Sequence, residues 1–254
     1  MKKMIAILAV AMLLWGASAS ADTLDFLKPF WMQMMDGVSN TASGKIPENV
    51  AVTCADERLT VEACGVLLEN DYSAEAHVYA VLKNTGSERL PIRSVQMTVL
   101  GANRNTLHQE NYVSYMPSVV EPGETMLVSE WMYDFVKEIG KVHSIQISVE
   151  TASRVNEKWK QLGDVRAWLD GDYLCVEFTN TTEKTLFGVI CAATVSDANG
   201  QILDMMMQSP YDTDDLGIAQ GSSIVWRKQL EDAATLKIGT DAVCKAWAYW
   251  MEDL

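Results

Sequence analysis

The chain has 254 residues, with 34 acidic and 20 basic side chains and a formal net charge of −14 at pH 7. A chain of this length and ordinary composition forms one large domain or two of roughly 100 to 150 residues each, which excludes a disordered protein. The negative charge repels phosphate backbones and therefore excludes nucleic acid as a partner.

The first 21 residues have the three parts of a secretory signal peptide. Two lysines precede an apolar run at 4–15, and a tract of small residues follows, with Ala19 and Ala21 in an A-x-A arrangement. The alternative, a retained membrane anchor, needs about 20 apolar residues. We therefore predict cleavage after Ala21, no transmembrane span in the mature chain, and a secreted or extracytoplasmic bacterial protein associated with the cell envelope. The mature chain then carries a charge of −16, because the leader holds two lysines and no acidic residue.

Residues 22–49 show helical rather than strand periodicity. Their apolar residues recur at steps of three and four, at Leu24, Leu27, Trp31, Met34 and Val38. Pro29 starts or kinks this helix, and a polar linker at 39–49 follows it. We expect a short amphipathic helix that docks on the rest of the protein. Attachment to a membrane surface is the alternative, although a basic face is missing.

The rest of the chain contains one pattern twice, 96 residues apart, most visibly in VLGANRNTL at 99–107 and VSDANGQIL at 195–203. The residues identical in this single register include Asn84 and Asn180, Thr85 and Thr181, Leu90 and Leu186, Thr98 and Thr194, Val99 and Val195, Ala102 and Ala198, Asn103 and Asn199, and Leu107 and Leu203. This agreement indicates an internal duplication. We place copy one at 50–151 and copy two at 163–254, with a polar segment between them.

Each copy has the pattern of short strands separated by turns. HVYAVLKNTG and YLCVEFTNTT are each typical of a strand that runs into a turn, and IRSVQMTVL and GVICAATVS are typical of the next strand. The Asn199-Gly200 pair is a strong hairpin signal, because both residues tolerate positive φ. Many short strands at regular spacing predict an all-β fold of two tandem immunoglobulin-like antiparallel β-sandwiches, preceded by the signal peptide and the short helix.

Copy one is also similar to a known family. The stretch AVLKNTGSERLPIRSVQMTVLGANRNTL and the later VVEPGET resemble the bacterial FxLYD-type domain, over about residues 76–130 and more faintly over 172–230. The four positions that name the family are Met97, Val99, Leu100 and Gly101 in this chain. The resemblance implies a small extracytoplasmic immunoglobulin-like sandwich, here in tandem, and it implies no catalytic residues.

The mature chain has five cysteines, an odd number, in a compartment that favours disulfides. We predict a bridge between Cys54 and Cys64, which flank the segment ADERLTVEA. We predict a second bridge between Cys191 and Cys244, because strand alternation places both on inward-facing positions. Cys175 falls on the outer alternation and is expected to remain free.

The sequence contains few groups with the spacing of a catalytic or metal site. Histidine occurs only in copy one, at His77, His108 and His143, and there is no H-E-x-x-H, C-x-x-C or G-x-S-x-G pattern. We therefore expect no metal, no cofactor, no catalytic residue and no enzymatic activity. The acidic run DTDD at 212–215, and Asp197 near Asp204, are interpreted as solvated loops. A calcium site or a hydrolase with a carboxylate pair remains the alternative.

Strand alternation places several aromatic residues of copy two on outward-facing positions. With Val225 inside, Trp226 faces outward, as do Trp247 and Tyr249 on the last strand, and Trp168 joins them. Exposed aromatic rings predict a cover: copy one, the N-terminal helix, a partner protein or a glycan. The sequence thus predicts a non-enzymatic binding or scaffold module at the cell envelope that contacts protein or glycan. The alternative is a carbohydrate-binding or adhesion protein that uses these aromatic residues.

Overall fold

The computed structural model describes residues 49–69, 75–133, 139–153, 158–208, 217–230, 238 and 241–252. The predicted signal peptide, the helix and linker up to residue 48, and the acidic run at 212–215 lie outside these residues. Within the described part of the chain, no helix is long and apolar enough to cross a membrane.

Copy one is built from two sheets. Its described strands are β1 (Ala51–Cys54), β2 (Leu59–Glu69), β3 (Glu75–Asn84), β4 (Leu90–Gly101), β5 (Thr106–Glu110), β6 (Ser114–Met116), β7 (Val119–Val120), β8 (Thr125–Met132) and β9 (Val142–Thr151). One sheet has the order β1-β9-β4-β5, with β7 also paired to β4, and the other has the order β2-β3-β8-β6. These pairs are antiparallel except β1 with β9, which is parallel.

Copy two repeats this arrangement with shorter sheets. Its described strands are β10 (Trp159–Gln161), β11 (Val165–Asp170), β12 (Tyr173–Thr179), β13 (Ile190–Ser196), β14 (Ile202–Gln208), β15 (Ser223–Gln229) and β16 (Val243–Met251). The sheets have the orders β10-β16-β13-β14 and β11-β12-β15. The prediction of an all-β antiparallel sandwich fold is confirmed. The polar segment between the copies differs from its prediction, since β10 lies within it and pairs with β16.

Alternating apolar side chains fill the space between the sheets of each copy. In copy one, Val78 and Leu82 of β3 share a buried core with Met97 of β4. The intervening residues of β3 are buried as well, and Tyr79 and Val81 belong to a separate cluster shared with copy two. β3 is therefore covered on both faces, once by its own sandwich and once by the other copy.

The asparagine of the repeated N-T dipeptide has the same role in both copies. Asn84 Nδ2 donates to two main-chain carbonyl groups at 2.9 and 3.0 Å, one four residues ahead and the other in β7. Asn180 Nδ2 donates at 2.8 and 2.7 Å to the carbonyl four residues ahead and to that of Ile218. Both asparagines are fully buried. Each amide thus satisfies carbonyl groups that would otherwise be unpaired in the interior.

The phrase that first shows the repeat forms the same tight turn twice. The amide of Gly101 donates to the carbonyl four residues later at 2.9 Å, and the amide of Asp197 does so at 3.0 Å. The equivalent residues Arg104 and Gly200 have left-handed φ values of 59° and 83°. Glycine adopts this conformation at no steric cost, whereas arginine adopts it at a cost of about 1 kcal/mol.

The predicted disulfides are wrong, because all five cysteines are free thiols. Cys191 lies opposite Ala248 and Cys244 lies opposite Val195 on the same pair of strands. The two cysteines are therefore four positions apart along the ladder, roughly 13 Å, whereas bridged Cα atoms lie about 4.4–6.8 Å apart. Sharing an inward face does not bring them together.

The other predicted pair, Cys54 and Cys64, is not bridged, because each thiol is hydrogen-bonded to a different part of the main chain. Cys54 is the last residue of β1, and its sulfur is hydrogen-bonded to the backbone of Asp56 and Ala55 in the following turn. The sulfur of Cys64 is hydrogen-bonded to the backbone of Val52, which lies nearer the start of β1. Cys175, which was expected to remain free, is also a thiol.

Candidate functional site at the junction of the two copies

Copy two contacts copy one through β14 and the outer faces of β13 and β16. Trp247 and Tyr249 alternate with Ala246 and Ala248, which pack into the copy-two core, so the two aromatic side chains point away from that core. Trp247 is half-buried, and Tyr249 is only 1% exposed. Both lie in an apolar cluster that we call the junction core. Its buried members are Tyr79, Val81, Met116 and Leu127 of copy one and Ala192, Ile202, Met205 and Tyr249 of copy two.

Two aromatic side chains of copy two also form hydrogen bonds across the junction. The Tyr249 hydroxyl donates to the main-chain carbonyl of Thr125 at 3.3 Å, and burial raises the pKa of this hydroxyl. Trp159 Nε1 donates to Ser118 Oγ at 2.7 Å, and the Trp159 ring packs against the junction core. Sequence reasoning missed Trp159. The available signal was that it is the single aromatic residue in the polar segment between the copies.

Trp226 does not belong to this surface, which corrects the prediction that it faces outward. It lies opposite the fully buried Val176 and packs against the copy-two core, whereas Val225 is 59% exposed. The error comes from copy one. There Leu127 is buried by the junction and Val128 by its own sandwich, so both residues appear interior.

Trp168 lies on the outer face of the other sheet of copy two, away from Trp247 and Tyr249. It pairs with Cys175 on β12, and the Arg166 guanidinium lies 5.4 Å from the centre of its ring. The structure thus brings two of the four predicted surface aromatics together. It places Trp226 in the core and Trp168 on a separate face.

A buried polar group crosses the junction beside the apolar core, and we call it the polar bridge. Asp204 of β14 is 1% exposed, and its Oδ1 lies 3.1 Å from Lys228 Nζ and accepts from the amide of Met205 at 2.7 Å. The hydroxyl of Tyr79, in copy one, donates to the same oxygen at 3.5 Å. His77 Nδ1 lies 3.3 Å from that hydroxyl. The interpretation of Asp204 as part of a solvated loop is therefore wrong: the carboxylate is buried and paired.

The main chains of the two copies approach each other closely at Gly65 of β2. A Cβ atom at this position would lie 1.8 Å from the main-chain carbonyl oxygen of Ile202 in β14. No side chain fits in that space. Glycine at residue 65 is therefore a condition for the observed docking of the two copies.

Two neighbouring cavities lie along this contact, with volumes of about 570 Å³ and 200 Å³. They share Glu62, Ala63 and Gly200 in their linings, and we call them together the junction groove. The larger cavity lies between the start of β1, residues 61–66 of β2 and the turn at 199–201. The smaller one adds residues of β13 and β16, including Trp247. Both copies thus contribute to its walls.

The two carboxylates of the groove, Glu62 and Asp197, are engaged in local contacts. Glu62 forms an ion pair with Lys83 at 3.2 Å. Asp197 Oδ1 accepts from the amides of Asn199 and Gln201, both at 2.9 Å, and so holds the turn that forms one wall. The side-chain amides of Asn199 and Gln201 belong to exposed residues on that wall.

Cys64 and His143 also line the larger cavity, which is the combination that a nucleophilic site requires. Burial raises the pKa of the Cys64 thiol, and its hydrogen-bond partner is the backbone of Val52. A reactive thiol needs a lowered pKa. Cys64 therefore stays protonated at neutral pH. Within the described residues, no three His, Cys, Asp or Glu side chains are grouped to hold a metal ion.

Comparison with models of known protein families finds no match, and no curated protein matches the chain. Among solved structures, the chain is similar to red sea bream transglutaminase, with a TM-score of 0.21 and 12% identity. The match covers 78% of this chain, which spans 29% of that structure.

This match corrects the expectation that the chain is not an enzyme, because the solved structure to which it is similar is that of an enzyme. A TM-score of 0.21 supplies no activity for the chain.

Proposed function

We propose that the chain is a binding module secreted to a bacterial cell envelope, and that the junction groove is its ligand site. The observation that carries this proposal is that the two copies share the walls of the groove. Ligand sites occur preferentially where domains meet, and the 570 Å³ of the larger cavity falls in the range of small-molecule sites. Secretion rests on the signal peptide predicted at 1–21.

The contacts around the groove support this role because they fix its walls before a ligand arrives. The junction core buries Tyr249 of copy two against copy one and Leu127 of copy one against copy two. The polar bridge joins Asp204 to Tyr79 beside this core. A site whose walls are already ordered loses less conformational entropy on binding.

The test uses the mature chain, residues 22–254, and a matched pair of variants offered by the repeat. Asn199 lines the groove, whereas its equivalent Asn103 lies in the exposed turn of copy one. A library of small metabolites, peptides and oligosaccharides is screened by thermal shift against the wild type, Asn199→Arg and Asn103→Arg. A ligand that binds only the folded state stabilises it by RT ln(1 + [L]/Kd) and so raises the Tm.

We expect ligands that raise the Tm of the wild type and of Asn103→Arg but leave that of Asn199→Arg unchanged. Equal shifts in the two variants would place the ligand site elsewhere. A library without any stabilising ligand would also contradict the proposal. The localisation is checked separately by N-terminal sequencing of the envelope fraction, where the expected first residue is Asp22.

A further inference from the structure

The chemistry of the groove also identifies a class of ligand, and this step rests on the proposed function. We infer that the groove binds a neutral oligosaccharide, with one sugar ring against Trp247 in the smaller cavity and the next in the larger cavity. The two cavities meet at Glu62 and Gly200, so a linear ligand of linked rings passes from one to the other.

The polar groups of the larger cavity match hydroxyl groups. Three residues with side-chain amides line it, Asn49, Asn199 and Gln201, and the Asn199 amide also donates to Asp197 Oδ2 at 3.4 Å. An amide carries a donor and an acceptor side by side, and a hydroxyl group also both donates and accepts. Neighbouring hydroxyl groups on one sugar ring therefore pair with an amide without leaving either of its groups unsatisfied.

The smaller cavity supplies the other half of a sugar site. Trp247 lines it together with the hydroxyl residues Thr194 and Ser196. The face of an indole ring carries negative charge density and attracts the C–H groups on the apolar face of a pyranose. The ring thus packs against one side of a sugar while hydroxyl side chains meet its edge.

The charge distribution favours a neutral ligand. Glu62 is paired with Lys83, and the Asp197 carboxylate is occupied by the amides of its own turn. A phosphorylated or anionic ligand would meet these two carboxylates, with Lys245 as the cation in the lining of the smaller cavity. An apolar ligand would strip water from the amides and leave them without partners.

A peptide fits less well because of the shape of β2. An extended peptide adds to a sheet by regular pairing with an edge strand, and β2 is the edge of its sheet in the described part of the chain. However, the register of β2 shifts between Val61 and Ala63, at the point where the cavities meet. Such an irregularity interrupts strand pairing and is a common protection of exposed edges.

The experiment uses an array of neutral oligosaccharides, followed by calorimetric titration of each oligosaccharide retained. The proteins are the mature wild type, the double variant Asn199→Ala/Gln201→Ala, and Asn103→Ala as the matched control. The two substitutions of the double variant leave the main-chain contacts of the turn in place. Their folding is checked by an unchanged Tm in the absence of ligand.

We expect binding by the wild type and by Asn103→Ala, and a loss of roughly tenfold or more in the double variant, since two hydrogen-bonding groups are removed. Oligosaccharide binding that is equal in all three proteins would overturn the groove as the site and the proposed function with it. Absence of oligosaccharide binding would overturn the ligand class. If a peptide or metabolite then loses binding in Asn199→Arg, the proposed function still stands.

Discussion

Asp204 is the residue at which the polar contacts of the junction converge. Its carboxylate is buried and accepts hydrogen bonds from Lys228 Nζ, a main-chain amide and the hydroxyl of Tyr79. A buried carboxylate is expensive unless it is paired, so the loss of one partner costs far more than the loss of a surface ion pair. The sequence showed its proximity to Asp197 in the preceding turn, which gave no sign of this burial.

We predict that Lys228→Met lowers the free energy of unfolding by about 3–5 kcal/mol, because it leaves the Asp204 carboxylate buried without its cation. Urea unfolding of the mature chain measures the change. The matched control is Arg93→Met, which breaks the exposed Arg93–Glu150 pair and costs about 1 kcal/mol or less. Equal losses in the two variants would contradict the burial of the charge.

Cys191 predicts a pH dependence of stability. Burial raises the pKa of its thiol from the ordinary 9.0 to about 12. Between these values the unfolded chain loses the thiol proton and the folded chain keeps it, so stability falls as pH rises above 9. The slope contributed by this group is at most about 1.4 kcal/mol per pH unit.

The measurement is urea unfolding of the wild type and of Cys191→Ala between pH 8 and pH 10.5. Removal of the buried sulfur lowers stability at every pH, but the decline above pH 9 becomes shallower in the variant. Parallel curves would show that Cys191 ionises equally in both states.

At the scale of the strands, the repeat and the alternation predicted most of the architecture. They predicted an all-β antiparallel sandwich fold, and the repeated turn forms at the predicted positions in both copies. They did not predict which face of a strand is interior when both faces are covered. Leu127 and Val128 are both buried, so projecting copy one onto copy two placed Trp226 on the wrong side.

The same limit explains why the groove was not predicted. Alternation correctly separated Trp247 and Tyr249 from the copy-two core, but it says nothing about the surface opposite them. The walls of the groove come from residues more than 130 positions apart, such as Glu62 and Gly200. No local pattern connects them. Strand alternation likewise predicted that Cys191 and Cys244 share an inward face. Only the strand register shows that the two cysteines lie four positions apart along the ladder.

The close approach of β2 and β14 predicts the effect of a single added methyl group. Gly65→Ala places a Cβ against the Ile202 carbonyl, which is main chain and does not move aside. We expect the two copies to separate locally, with faster proteolysis between them and two thermal transitions in place of one. Gly163→Ala is the control, because nothing lies within 4 Å of its Cβ position. One transition in both variants would contradict the contact.

At the scale of the whole molecule, each copy has its own core, but the junction core leaves neither complete alone. A fragment of residues 163–254 exposes Ile202, Met205 and Tyr249, and it also lacks β10, which pairs with the outer edge of β16. A fragment of residues 158–254 restores that strand. The fragment 158–254 retains the whole buried cluster between the copy-two sheets, whereas 163–254 lacks its member Leu162.

We therefore predict cooperative unfolding of both fragments at a lower Tm than that of the mature chain, with 158–254 more stable than 163–254. Calorimetry measures each transition. A fragment that melts at the Tm of the intact chain would show that the junction contributes no stability, and a fragment without any transition would show that the copies share one core.

The contact between the copies joins two different faces, the outer face of β3 and β8 on one side and that of β13 and β16 on the other. Head-to-tail contacts of this kind continue into open fibres when both free ends are complementary. The two faces that lie outside this contact are not complementary. On copy one, Ser148 and Glu150 occupy the positions of Trp247 and Tyr249. On copy two, Glu177 occupies the position of Val81. The outer face of β4 and β9 is polar at these positions, whereas the outer face of β11, β12 and β15 carries Trp168 and the exposed Val225 beside Glu177. A further copy docked in the same geometry would bury the carboxylate of Glu150 on one side or of Glu177 on the other, which opposes extension of this contact into a fibre.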